Sequence, residues 1–196
     1  MKILYLHQKT KSLVKYIRGW IYKYLTSNHQ IKNLRVSNNV DIWGKIELGN
    51  NVYIGSNVKI YTKNKISDNV YLGDNVELRC NGVNEIEIGK ECTVNRGSII
   101  LGNVKIGDNC LIAPMCVLSG SNHNFSNLNS NINKQGISSK GIIIKNNVWL
   151  GAQVTILDGV TIEENSIIGA GSVVTKNIPK NSIAVGNPCS VIKSRS

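Results

Sequence analysis

The chain has 196 residues, 41% of them hydrophobic and 6% aromatic, with a formal net charge of +11. This is enough for one domain and a small appendage. No apolar run reaches the ~18 residues of a membrane span, and five cysteines without a Cys-x-x-Cys pair suggest neither a disulfide framework nor a zinc site.

The charge is concentrated at the start. Residues 1–35 hold eight Lys and Arg and no acid, which leaves +3 for the remainder. Basic charge alone is nonspecific, so nucleic acid is not an expected partner. Within this segment Leu13, Val14, Ile17, Trp20, Ile21, Tyr24 and Leu25 recur at helical spacing. Lys11, Lys15, Arg18 and Lys23 fall outside that stripe, and Ser12 is placed to cap the helix. Two readings are open and compatible. The helix covers the terminal coil of a repeat stack, or residues 10–26 make a peripheral contact with an anionic membrane. The segment lacks the apolar core and cleavage site of a secretory signal. A cytoplasmic location is expected, at the inner face of the cell membrane if the helix binds lipid.

From residue 36 an aliphatic residue recurs every six positions. The runs are Val36 to Leu78, Ile88 to Leu118 and Ile144 to Val174, 20 positions in all. Neither a helix nor a simple strand has this period; it predicts a parallel β-helix of hexapeptides, three to a triangular coil, with six to seven coils. The residue two before each aliphatic also points inward. Cys92 and Cys110, 18 residues apart, should therefore stack in adjacent coils as small buried hydrophobes. One corner column reads Gly55, Gly73, Asn95, Ala113, Gly151 and Gly169. Glycine serves turn geometry or the close approach of a backbone or ligand, so this edge faces either its own turns or a partner.

The period stops at residues 119–141, an excursion with six Asn and six Ser that contains His123. Long loops on rigid scaffolds commonly carry function. The organisation expected is thus a basic segment at 1–35, a β-helix at 36–178 interrupted at 119–141, and a tail at 179–196. The remaining histidines are His7 and His29, so the repeats lack the ligands of a metal-dependent β-helix hydratase.

Residues 36–193 resemble the hexapeptide-repeat acyltransferases. The similarity is carried by Ile106-Gly107-Asp108-Asn109-Cys110-Leu111-Ile112-Ala113-Pro114, the His123 loop, Asn146-Asn147-Val148-Trp149-Leu150-Gly151-Ala152, Ile168-Gly169-Ala170-Gly171-Ser172-Val173-Val174-Thr175-Lys176 and Ala184-Val185-Gly186-Asn187-Pro188-Cys189-Ser190-Val191-Ile192-Lys193. The branch it is most similar to contains galactoside, maltose and capsule or lipopolysaccharide O-acetyltransferases. The resemblance implies a left-handed coil, against the usual crossover preference. It also implies a homotrimer with sites between subunits, acetyl-CoA as acyl donor, no metal, and a carbohydrate acceptor in cell-surface polysaccharide synthesis. By the same resemblance His123 is the general base, Asn95 and Trp149 meet the acceptor, and Trp149, Ala152, Ala170, Thr175, Lys176 and Lys193 meet the coenzyme. No acid lies near His123 in the loop, so a backbone carbonyl or a distant carboxylate must orient its ring. N-acetylation of an amino sugar and a non-catalytic β-helix assembly module are the alternative functions.

Overall fold

A computed structural model of the chain describes residues 13–22, 30–61, 63–80 and 84–195. Short strands wind into a left-handed parallel β-helix of about eight turns. Its three faces are here numbered I to III in the order the chain visits them. Face I runs from Arg35–Val36 through Trp149–Leu150 to Ser182–Val185, and an antiparallel strand, Ser190–Ser194, closes it. Face II has seven strands, from Asp41–Trp43 to Val173–Val174; face III has six, from Ile46–Leu48 to Thr161–Ile162. The coil outruns the 20-position count because the tail continues it. Ile168 pairs with Ala184, only 16 residues on, and Ile162 bridges Ile178; the shortened step hides this turn from a strict six-residue period.

The repeated aliphatics form one continuous core. All are buried except Ile42 and Leu48, half-buried in the first coil. Each fully buried Ile or Leu contributes about 1.5–3 kcal/mol, and none can be buried without the neighbouring coil. The inward Ser98, Ser166 and Ser172 are satisfied, donating to the carbonyls of Ala113, Pro179 and Gly169. Cys92 and Cys110 stack as expected, the Cys110 N–H lying 3.4 Å from Cys92 Sγ. The hydrogen bond to Cys110 and burial raise the Cys92 thiol, and burial raises that of Cys116. They are protonated packing groups rather than nucleophiles.

The corners are built from asparagine. Asn51, Asn57, Asn69, Asn75, Asn147 and Asn165 all have φ near +60°, a region asparagine tolerates better than other side chains. Their amides bond from coil to coil: Asn33 to Asn51 to Asn69 at 2.8 and 2.9 Å, Asn147 to Asn165 to Asn181 at 2.8 and 3.0 Å. The small column has a different cause. Gly55, Gly73, Gly151 and Gly169 lack positive φ, but a Cβ on each would lie 2.5–2.6 Å from the next coil. The approaching partner is the stack itself, so small size along this edge is no sign of a ligand.

Residues 13–22 form a helix against the first coils. Lys15 Nζ donates to Tyr53 Oη at 2.9 Å, Tyr22 Oη donates to the Val40 carbonyl at 2.8 Å, and Arg18 donates to Asn38. Gly19 is buried so closely on Leu34 that a Cβ would overlap its carbonyl. The helix thus docks through Lys15, Arg18, Gly19 and Tyr22, while Leu13, Val14, Ile17, Trp20 and Ile21 are exposed. The helix therefore packs on the first coils through its polar and glycine face, and its apolar stripe faces away. Ser12, Lys11, Lys23, Tyr24 and Leu25 of the expected helix lie outside the described residues, as do His7 and His29. No described helix is long and apolar enough to cross a membrane.

Candidate active site

Both interruptions of the period fall where face II turns into face III. At the longer one the chain leaves Val117–Gly120 and forms a small antiparallel hairpin of Asn122–His123 with Ile137–Ser138. His123 is therefore a strand residue opposite Ile137, held by a backbone ladder rather than carried on an irregular loop. Gln135 braces the far end. Its Oε1 accepts from the Asn127 N–H at 3.0 Å, and its Nε2 donates to the carbonyls of Asn127 and Ser130, both at 2.8 Å. Asn124 ties the two arms through the carbonyls of Gln135 and Gly136.

His123 is exposed and lines a cavity of about 300 Å³ with Phe125, Ser126, Ser138, Lys140 and Asp158. Asp158 supplies the one carboxylate among the residues lining this cavity. It belongs to the next coil, and it accepts from the N–H groups of Lys140 and Gly141 at 2.7–3.1 Å, pinning the excursion where it rejoins the stack. Sequence reading missed it because it lies far along the chain in an ordinary-looking corner, Leu157-Asp158-Gly159.

The other expected residues divide between two edges. Thr175 and Lys176 follow the last strand of face II, on the II/III edge with His123, and both are exposed. Asn95, Ala152 and Ala170 follow strands of face I, on the I/II edge. Asn95 lacks positive φ, so turn geometry does not explain it; its Nδ2 donates to the Ile112 carbonyl at 3.1 Å. Trp149, half exposed, points outward from face I in register with Leu111 and Ile167, and Lys193 lies on the closing strand of that face. One whole side of the triangle, six extended residues or roughly 15–20 Å, separates the two edges. A single coil brings neither Asn95 nor Trp149 to His123.

The model of the family described as bacterial transferase hexapeptide (six repeats) matches residues 85–120 and 141–176, resuming where the hairpin ends. The chain belongs to the hexapeptide-repeat family of bacterial transferases. This hexapeptide-repeat protein is 46% identical over 113 residues to the galactoside O-acetyltransferase of Escherichia coli, across 56% of its own length and 54% of the relative's. It thus spans about half the length of that curated relative. A solved galactoside acetyltransferase in complex with coenzyme A is 34% identical, covering 79% of this chain and 66% of the other, with a TM-score of 0.52. A hexapeptide-repeat acetyltransferase of Vibrio cholerae complexed with acetyl coenzyme A superposes with a TM-score of 0.56 at 22% identity, over 78% of this chain and 71% of that one, a likeness of fold.

Proposed function

We propose that this protein transfers an acetyl group from acetyl-CoA to a carbohydrate hydroxyl, in the synthesis of a cell-surface polysaccharide, with His123 as general base. The observation that carries the reading is His123 on a braced hairpin, lining a cavity whose other side chains are polar apart from Phe125. The chemistry fits: imidazole takes the acceptor's hydroxyl proton as that oxygen attacks the thioester carbonyl, then returns it to the departing thiolate, giving an ester and free thiol. Trp149 and Leu111 offer apolar surface to a pantetheine arm, Ala152 and Ala170 allow backbone approach, and Thr175, Lys176 and Lys193 offer a hydroxyl and two ammonium groups to phosphates. Asn95 is assigned to the acceptor. Because these groups sit on two edges of one prism, the site is assigned to a junction between copies, with the I/II edge of one subunit facing the II/III edge of its neighbour in a homotrimer.

The exposed stripe of Leu13, Val14, Ile17, Trp20 and Ile21, in a segment without acids, supports contact with an anionic membrane surface. A membrane-linked saccharide would explain that contact.

The test is thiol release from acetyl-CoA with sugar acceptors. His123→Ala should lower turnover by about 10²–10⁴-fold, with the coil's circular dichroism unchanged. NMR of the product should show an O-acetyl ester. An acetamide would instead assign an N-acetyltransferase, and release indifferent to His123→Ala would reduce the protein to a binding or assembly module.

A further inference from the structure

The II/III edge that carries His123 also carries, in the coils below it, a set of side chains that the acetyl-transfer reading leaves unused. Trp43, Tyr61, Arg79, Leu101 and Ser119 occupy one column, each in register with the next. The last of them begins the excursion to His123. At ~4.8 Å per coil, Trp43 lies roughly 19 Å below Ser119 along the edge.

The lower three residues are tethered to one another. The indole N–H of Trp43 donates to Asp41 Oδ1, and Tyr61 Oη donates to the other oxygen of Asp41 at 3.3 Å. The Arg79 guanidinium lies 4.9 Å from the Tyr61 ring centre and pairs with Glu77 at 2.8 Å. Trp43 is nevertheless 65% exposed. A large indole held in place by a hydrogen bond yet open to solvent has already lost the rotamer freedom that a ligand would otherwise have to remove. The outward column of face III shows what an idle surface of this coil looks like: Glu47, Lys65, Glu87 and Lys105 alternate in sign, with Lys105 and Glu87 paired at 2.6 Å.

We infer that this edge is a track for an extended oligosaccharide acceptor, whose chain stacks on Trp43 and Tyr61 while its acceptor end reaches His123. Pyranose rings present an apolar C–H face to an aromatic ring and hydroxyls to carboxylate and guanidinium groups. Asp41, Glu77 and Arg79 supply such groups beside the two rings. One coil rises by about the length of one sugar unit, so successive rings meet successive coils. This rests on the acetyl-transfer reading for the identity of the acceptor end, but the track itself makes a separate claim, that affinity grows with chain length.

The experiment uses the full chain. Galactose, glucose and glucuronic acid, and a hexasaccharide of each, are titrated against it by calorimetry. At least one hexasaccharide should bind about tenfold or more tighter than its monosaccharide, the scale of one aromatic contact. Trp43→Ala should erase that ratio, Trp43→Phe should retain most of it, and neither should alter oligomeric mass or turnover on a monosaccharide. Equal affinity of every hexasaccharide and its monosaccharide overturns the track. So does a length dependence that survives Trp43→Ala. Loss of the oligomer in Trp43→Ala would show Trp43 to be a subunit contact, and also overturns it. Failure of the acetyl-transfer reading looks different: the length dependence is present and no acceptor of either length releases thiol.

Discussion

Gly151 and Gly171 both sit on the I/II edge, but a methyl group added to each would meet different surroundings. On Gly151 it would lie 2.5 Å from the Ala170 nitrogen; on Gly171, with φ at +71°, it would meet nothing within 4 Å. Gly151→Ala should therefore push two coils apart, at about 1–3 kcal/mol. Gly171→Ala should cost only the strain of a left-handed backbone, about 1–2 kcal/mol. Asparagine separates the causes. Gly171→Asn should recover much of that loss, as the corner asparagines do, whereas Gly151→Asn should be worse than Gly151→Ala. Urea midpoints at constant slope measure all four, and a Gly151→Asn variant as stable as Gly171→Asn would refute the collision. From one sequence the two glycines look alike, because the atoms that distinguish them belong to the following coil. The inward aliphatics were legible because their spacing is a property of the chain itself. Asp158 was not, since its service to the amides of Lys140 and Gly141 exists only once the coils are stacked.

The N-terminal helix shows the same limit for an element. Its apolar period is plain in the sequence, and the structure shows what periodicity cannot: Gly19 and Tyr22 face the coil, and the apolar stripe faces out. A residue without a side chain lets the helix axis approach Leu34, and polar tips at Lys15 and Arg18 complete the dock. If the exposed stripe is a membrane contact, Ile17→Glu with Ile21→Glu should abolish sedimentation with phosphatidylglycerol vesicles, yet leave the thermal midpoint and turnover on a soluble acceptor unchanged. A drop in the midpoint would show instead that the stripe is covered by protein. The hairpin was legible in a different way. A register broken at only two places makes the longer departure conspicuous, so His123 stands out. The departure is not irregular, however: Asn122–His123 pairs with Ile137–Ser138, and Gln135 closes the end by bonds that have no period to betray them.

At the scale of the whole molecule the helix and the lower end of the aromatic column both belong to the first coils, whereas His123 lies several coils above. A saccharide anchored in a membrane at that end would rise along the II/III edge to reach the hairpin. What the prism lacks at that height is the opposite wall, because Ala170 and Trp149 lie a full side away. If the missing wall is a second copy, two disabled chains should repair each other. His123→Ala removes the base, and Ala170→Trp, at an exposed position on the I/II edge, obstructs the facing surface. Each alone should be inactive. In trimers assembled from an equal mixture, an intact site needs the hairpin of one variant beside the edge of the other. Random assembly then restores about one quarter of the sites. Turnover near that fraction, with mixed trimers demonstrated by differential tags, would place the site between subunits. Mixed trimers without turnover would return His123 and Ala170 to the site of a single chain, and an Ala170→Trp variant that is active alone would show that the I/II edge supplies no wall at all.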